Sequence, residues 1–135
     1  MVIDSSALVA VLLGESDAGV YLNCLNQEQS KFISTATLVE AQIVTMRYLG
    51  EAGLAELQLL LQLGQVNTVA LAPAHVAWAL KGWCQFGKGN HPAALNLGDC
   101  FSYALAKALD RPLLFKGSDF AQTDLRPALD LHREP

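Results

Sequence analysis

The sequence predicts an α/β fold built on a mainly parallel sheet. Two observations carry that expectation. Short apolar runs, seen in VIDSS, KFIS, VNTVAL and PLLF, alternate with longer segments of helical periodicity. The strand-like runs are also unbroken by polar alternation, as suits a sheet covered on both faces.

The elements follow in order. VIDSS starts apolar and breaks at Asp4, after which ALVAVLLG reads as a helix stopped by Gly14. Ala18, Tyr21, Leu22 and Leu25 recur at helical spacing within a second stretch, roughly 15 to 29. KFIS (31–34) is β-like. TLVEAQIVTMRYLG (37–50) and EAGLAELQLLLQLG (51–64) each close on glycine, which predicts two helices. Their short connection predicts an antiparallel helical hairpin. VNTVAL (66–71) reads as a strand, and Pro73 suits the first turn of a helix reaching about Gln85. FGKGNHPAALN (86–96) is a loop, GDCFSYALAKAL (98–109) a helix and PLLF (112–115) a strand. No repeat or linker divides the chain, so residues 1–135 are expected to form a single domain.

Composition narrows the class. With 135 residues, 52% of them hydrophobic and 16% charged, the chain suits one globular core. Its longest apolar runs fall far short of the roughly 20 residues that span a bilayer. MVIDSS has no basic segment ahead of the apolar run, so no secretory leader is expected and a cytoplasmic protein is. Cys24, Cys84 and Cys100 are odd in number and form no CxxC, and His75, His91 and His132 are dispersed. Neither a disulfide framework nor zinc is expected. The net charge of −4 argues against a nucleic-acid binder, but it is uneven. Residues 1–80 carry −5 and residues 81–135 carry +1, so a polyanion finds its cationic contacts in the second half.

Acids stand at the junctions. Asp4 follows the first strand, Glu40 lies in the first turn after the second, Asp99 opens a helix and Asp119 lies beyond PLLF. In a parallel α/β sheet the loops leaving the strand C-termini share one edge, where ligands bind. Asp4, Glu40 and Asp119 are expected to meet there, and the helix of Asp99 can begin there too. Each acid also suits a plainer role. Asp4 and Asp99 can cap helices, Thr37 and Glu40 have capping-box spacing, and Asp119 can be a turn residue. Four acids at one edge repel one another, however, and a hard, oxygen-seeking ion such as Mg²⁺ or Mn²⁺ relieves that repulsion.

MVIDSSALVAVLLGE, ISTATLVEAQIV, FGKGNHPAALNLGDCFSYALAK and PLLFKGSDFAQTDL together resemble a PIN domain. More closely, they resemble the ribonuclease toxins of bacterial VapBC-type toxin–antitoxin pairs. The similarity covers nearly the whole chain and is most specific from Phe86 to Leu125. The resemblance implies an α/β/α sandwich and a Mg²⁺- or Mn²⁺-dependent endoribonuclease. It implies Asp4, Glu40, Asp99 and Asp119 as the catalytic, metal-site acids. Ser6 matches a position whose hydroxyl orients the first aspartate, and Asp124 matches the pattern in a supporting place. The resemblance further implies an RNA substrate, a VapB-type antitoxin and a homodimer.

Other residues admit two readings. Lys116 can contact a phosphate, pair with the acids or simply be solvated. Lys88, in the loop before Asp99, can touch RNA backbone, although FGKGN is not a P-loop. Trp78 and Trp83 read as core or interface. Two alternatives to the nuclease remain: a non-catalytic module that keeps the fold, and a receiver-type phosphoacceptor regulator. The latter needs an acid after a middle strand, and VNTVALAPAH has none.

Overall fold

The computed structural model describes residues 1–130; His132 lies outside them. Strands β1 (Val2–Ile3), β2 (Lys31–Ser34), β3 (Val66–Val69) and β4 (Leu113–Leu114) form one sheet in the order β3-β2-β1-β4, and every pairing is parallel. Helices α1 (Ser5–Leu12), α2 (Ala18–Leu25), α3 (Thr35–Leu63), α4 (Pro73–Phe86) and α5 (Leu97–Leu109) connect them, and a 3₁₀ turn spans Phe120–Gln122.

Two cores sandwich the sheet. Successive strand side chains point to opposite faces. Ile3, Ile33 and Leu114 therefore pack with Ala7, Leu8, Tyr21, Ala41 and Leu57, under α1, α2 and α3. Val2, Phe32 and Leu113 pack on the other side with Tyr103, Leu105 and Ala106 of α5 and with Phe86 and Ala79 of α4. Apolar residues on both faces are why these strands show no polar alternation. The result is the expected α/β/α sandwich.

Several boundaries differ from the expected ones for identifiable reasons. β3 stops at Val69 because its partner β2 ends at Ser34, which pairs with Val69 and then caps α3. β4 is two residues long because β1 offers only Val2 and Ile3 to pair with. The second helix is confined to Ala18–Leu25. Beyond it, the carbonyls of Leu25 and Gln27 turn to the buried Lys31 ammonium, at 2.7 and 2.8 Å. That explains a lysine at the start of an interior strand: it satisfies helix-end carbonyls that have no intrahelical donor.

The two glycine-closed helices occur as two arms of α3, separated at Gly50. Its φ of 65° and ψ of −157° are readily adopted only by glycine. At this corner Gly53 lies against Leu49 and Thr45, leaving no space for a side chain.

Candidate active site

Asp4 is the centre of the site. It follows β1, where its N–H donates to Leu114 O at 2.9 Å, and it caps α1 through a bond from Ser6 N at 3.0 Å. The residue is only 2% exposed. A buried carboxylate is costly unless hydrogen-bonded, and this one is bonded through both oxygens. Oδ2 also accepts from Ser6 Oγ at 2.6 Å, and Oδ1 accepts from Ser102 Oγ at 2.5 Å. Ser6 Oγ in turn accepts from Lys116 N at 3.0 Å, which ties β4 to the same carboxylate. The Ser102 hydroxyl lies 3.2 Å from that of Thr37, and both residues are fully buried.

Glu40 sits on α3, and its Oε1 accepts from Ser5 Oγ at 2.5 Å. Its other oxygen, Oε2, lies against Gly98 at the start of α5, so closely that a Cβ at residue 98 would overlap it. A carboxylate at this end of a helix is favoured by the helix dipole. The capping-box reading of Thr37 and Glu40 is corrected: Ser34 is the cap, accepting from Ala36 N at 3.3 Å. Thr37 therefore lies within α3, its hydroxyl free to face Ser102.

A capping box does exist on α5. Asn96 Oδ1 accepts from Asp99 N at 2.9 Å, and Asp99 Oδ2 accepts from Asn96 N at 3.0 Å. Asp99 is thus the third helical residue rather than the cap. Its carboxyl is pushed up to about 6, first by burial and then by the charges of Asp4, Glu40 and Asp119. The bond from Asn96 only partly opposes this. The four acids therefore share one electrostatic neighbourhood. As the side chains stand, no three His, Cys, Asp or Glu residues among those described form a ready-made metal ligand set. Asp4 and Glu40 are instead turned to hydroxyl donors. The donor chemistry fits a hard divalent ion, since every candidate ligand is oxygen and the charges of three further carboxylates add to the effect of burial on Asp99.

Asp119 stands exposed at the head of the 3₁₀ turn and makes no capping bond with its side chain. Asp124 is bound elsewhere: Tyr103 Oη donates to it at 3.0 Å and Lys107 pairs with it at 2.5 Å. Burial, the largest single influence, raises its carboxyl, but the bonds and charge of Lys107 and the bond from Tyr103 together outweigh it and hold the group below its ordinary value. Its supporting role is to anchor the segment after the 3₁₀ turn onto α5.

Lys116 corrects a sequence reading. Its ammonium pairs with Glu15, and with Asp17 at 2.9 Å, across the loop between α1 and α2. Those carboxylates, Glu15 first, raise it to about 12. Its ammonium is therefore not a partner of the four acids. Lys88 is exposed in the loop leading to α5, and its side chain has no partner among the described residues.

Sequence reasoning missed Ser5, Ser102 and Gly98, and it misassigned Thr37. The available signal was the helix FSYALA, where a lone serine interrupts an otherwise apolar turn. A groove of about 290 Å³ adjoins the site, between α3 and the start of α5, lined by Val39, Glu40, Ile43, Leu97, Gly98 and Phe101.

Comparison with known proteins matches residues 1–125 to the PIN domain family. The chain is 44% identical to VapC ribonuclease Mb0640 of Mycobacterium bovis, over 93% of this chain and 95% of that one. It is 45% identical to Ribonuclease VapC of Mycolicibacterium smegmatis, over 93% and 97% respectively. Among solved structures it resembles Mycobacterium tuberculosis VapC20, described as a Sarcin-Ricin loop cleaving toxin, with a TM-score of 0.72 and 14% identity over 93% of this chain and 98% of that one. It also resembles VapBC2 from Rickettsia felis, solved bound to a DNA fragment from its promoter. There the TM-score is 0.73 with 13% identity, over 93% of this chain and 94% of that one. At such identities the structural likeness speaks for the fold alone.

Proposed function

This chain belongs to the PIN domain family, among its VapC-type members, and on that footing we propose that it is the endoribonuclease toxin of a toxin–antitoxin pair. It hydrolyses RNA phosphodiester bonds with the help of Mg²⁺ or Mn²⁺. The observation that carries the reading is the acid cluster, in which burial and three neighbouring carboxylates raise Asp99 to about 6.

Asp4, Asp99 and Glu40 would hold the ion, with Asp119 contributing from the exposed side. When bound, the ion offsets the cluster's charge and supplies the acidity that makes water a nucleophile near neutral pH. The residues do the rest. Ser6 and Ser102 keep Asp4 fixed, Ser5 holds Glu40, and the Asn96 capping box orients Asp99. A carboxylate in the cluster without a metal bond can accept a proton from water. Lys88, exposed on the loop before α5, would meet the RNA backbone.

The antitoxin and a second copy of the chain are the expected protein partners. Val39, Ile43, Met46 and Leu97 are 55%, 57%, 46% and 72% exposed, an apolar surface along α3 and the start of α5 that suits burial. An RNA substrate implies a cytoplasmic setting, and no helix among the described residues is long and apolar enough to cross a membrane. The receiver-type alternative loses its support, since Lys116 is committed to Glu15 and Asp17.

The test is RNA cleavage by the purified protein with Mg²⁺, with chelator, and with an Asp4→Asn variant. Cleavage by the Mg²⁺-loaded protein alone supports the reading. Undiminished cleavage by Asp4→Asn, or in chelator, overturns it.

A further inference from the structure

Asp4 has little left to offer a cation. A carboxylate has about four lone-pair positions, two on each oxygen. Oδ2 uses both, accepting from Ser6 N at 3.0 Å and Ser6 Oγ at 2.6 Å. Oδ1 uses one, accepting from Ser102 Oγ at 2.5 Å. A single lone pair remains, on Oδ1.

The hydroxyl pair behind it has a fixed direction. Ser102 donates its one hydroxyl proton to Asp4. The 3.2 Å contact between Thr37 Oγ1 and Ser102 Oγ must then run from Thr37 to Ser102. Thr37 is 1% exposed and Ser102 is 0% exposed, so no solvent competes for either group. One residue lies on α3 and the other on α5, the two helices that also carry Glu40 and Asp99. A relay anchored on both helices registers them against the Asp4 carboxylate that follows β1.

We propose that Thr37 and Ser102 are positioning residues for the cation: their relay occupies one side of Oδ1, so that Asp4 meets the ion through the single remaining lone pair of that oxygen. The inference rests on the reading of Asp4 as a metal ligand. Without Ser102, the buried carboxylate loses the donor that fixes Oδ1 and is free to pivot about Ser6. Each change disfavours the ion. Hydrogen-bond partners behind a ligand typically contribute about 10- to 100-fold to metal affinity. Thr37 acts one bond further away, so its effect has the same sign and is smaller.

The experiment is isothermal titration of the metal-free full chain with Mn²⁺, alongside its thermal unfolding without metal. Four variants are needed: Ser102→Ala, Thr37→Val, Thr37→Ser and Asp4→Asn. The expected result is loss of the Mn²⁺ site in Asp4→Asn and about tenfold or greater weakening in Ser102→Ala. Weakening in Thr37→Val should be smaller, and Thr37→Ser should titrate like the parent. Should Ser102→Ala not fold, the contrast between Thr37→Val and Thr37→Ser decides. Wild-type Mn²⁺ affinity in both Ser102→Ala and Thr37→Val, whatever their unfolding temperatures, overturns the relay while leaving the metal reading intact. Wild-type affinity in Asp4→Asn overturns the metal reading, and the relay with it.

Discussion

Replacing Asp99 with asparagine should stabilise the metal-free protein at neutral pH. In the folded chain the Asp99 carboxyl titrates at about 6, against an ordinary value of 3.8. A folded value above the unfolded one means that the folded state binds the proton more tightly. The stability contributed by Asp99 is therefore fully present below about pH 4 and is lost as pH rises through 6. Two units correspond to an upper bound of about 3 kcal/mol. Asp99 is only partly buried, and screening by solvent reduces this to the order of 1 kcal/mol. Asparagine carries no charge yet keeps an oxygen to accept the bond from Asn96 N, so the capping box survives. For a chain of this size, 1 kcal/mol corresponds to roughly 3–5 °C in Tm. The assay is thermal unfolding of both proteins from pH 4 to pH 8, with chelator and with saturating Mg²⁺. The variant should match the parent at low pH and exceed it above pH 6. Saturating metal should reverse the order, because a ligand at 100 times its Kd stabilises its binder by about 2.7 kcal/mol and the variant binds it poorly. A variant less stable than the parent at pH 7.5 without metal, or a difference that ignores pH, would refute the reasoning.

Three further outcomes are expected. Gly98→Ala places a methyl against Glu40 Oε2; with α5 otherwise intact, cleavage should fall by up to about 100-fold, as angstrom-scale misplacement does, and an unchanged rate would show that Glu40 can move freely. Lys88→Ala should raise the KM for RNA and reduce the salt slope of binding by about one, whereas Lys116→Ala, already paired with Glu15 and Asp17, should leave that slope unchanged. Light scattering should give twice the chain mass at micromolar concentration and the single-chain mass for Ile43→Asp, whose parent side chain is 57% exposed; a monomeric parent removes the proposed dimer.

The layers of the fold were legible because periodicity and punctuation agreed. Gly50 breaks α3 where its sequence closes on glycine, and Pro73 opens α4. The grouping of Asp4, Glu40 and Asp119 was legible because each comes after a strand, and parallel topology sends strand ends to one edge; Asp99 follows a loop and was placed there only because its helix can begin at that edge. Strand lengths were less accessible, since β3 and β4 end where their partners end rather than where their own apolar runs do. The fate of Lys116 was hidden for a related reason. Its partners Glu15 and Asp17 lie about a hundred residues away, and only the folding of the α1–α2 loop over β4 brings them together. Serine at 102 and threonine at 37 likewise carry no local signal of their contact, because 65 residues separate two hydroxyls that meet across packed helices.

These supporting groups share a chemical property that bears on how the site works. The side chains bonded to Asp4 and Glu40 are neutral hydroxyls, from Ser5, Ser6 and Ser102. A buried carboxylate is more strongly stabilised by a cation than by a hydroxyl. Lysine or arginine in those places would thus make the isolated protein more stable. It would also neutralise the charge a metal ion needs and occupy the same oxygens. Lys116 illustrates the separation: its backbone N–H reaches the site through Ser6, while its ammonium is drawn away by Glu15 and Asp17. The chain therefore fixes the positions of its carboxylates without cancelling their charge. Burial first, and then that uncancelled charge, leave Asp99 with a carboxyl raised to about 6, a local instability that a divalent cation is chemically suited to relieve.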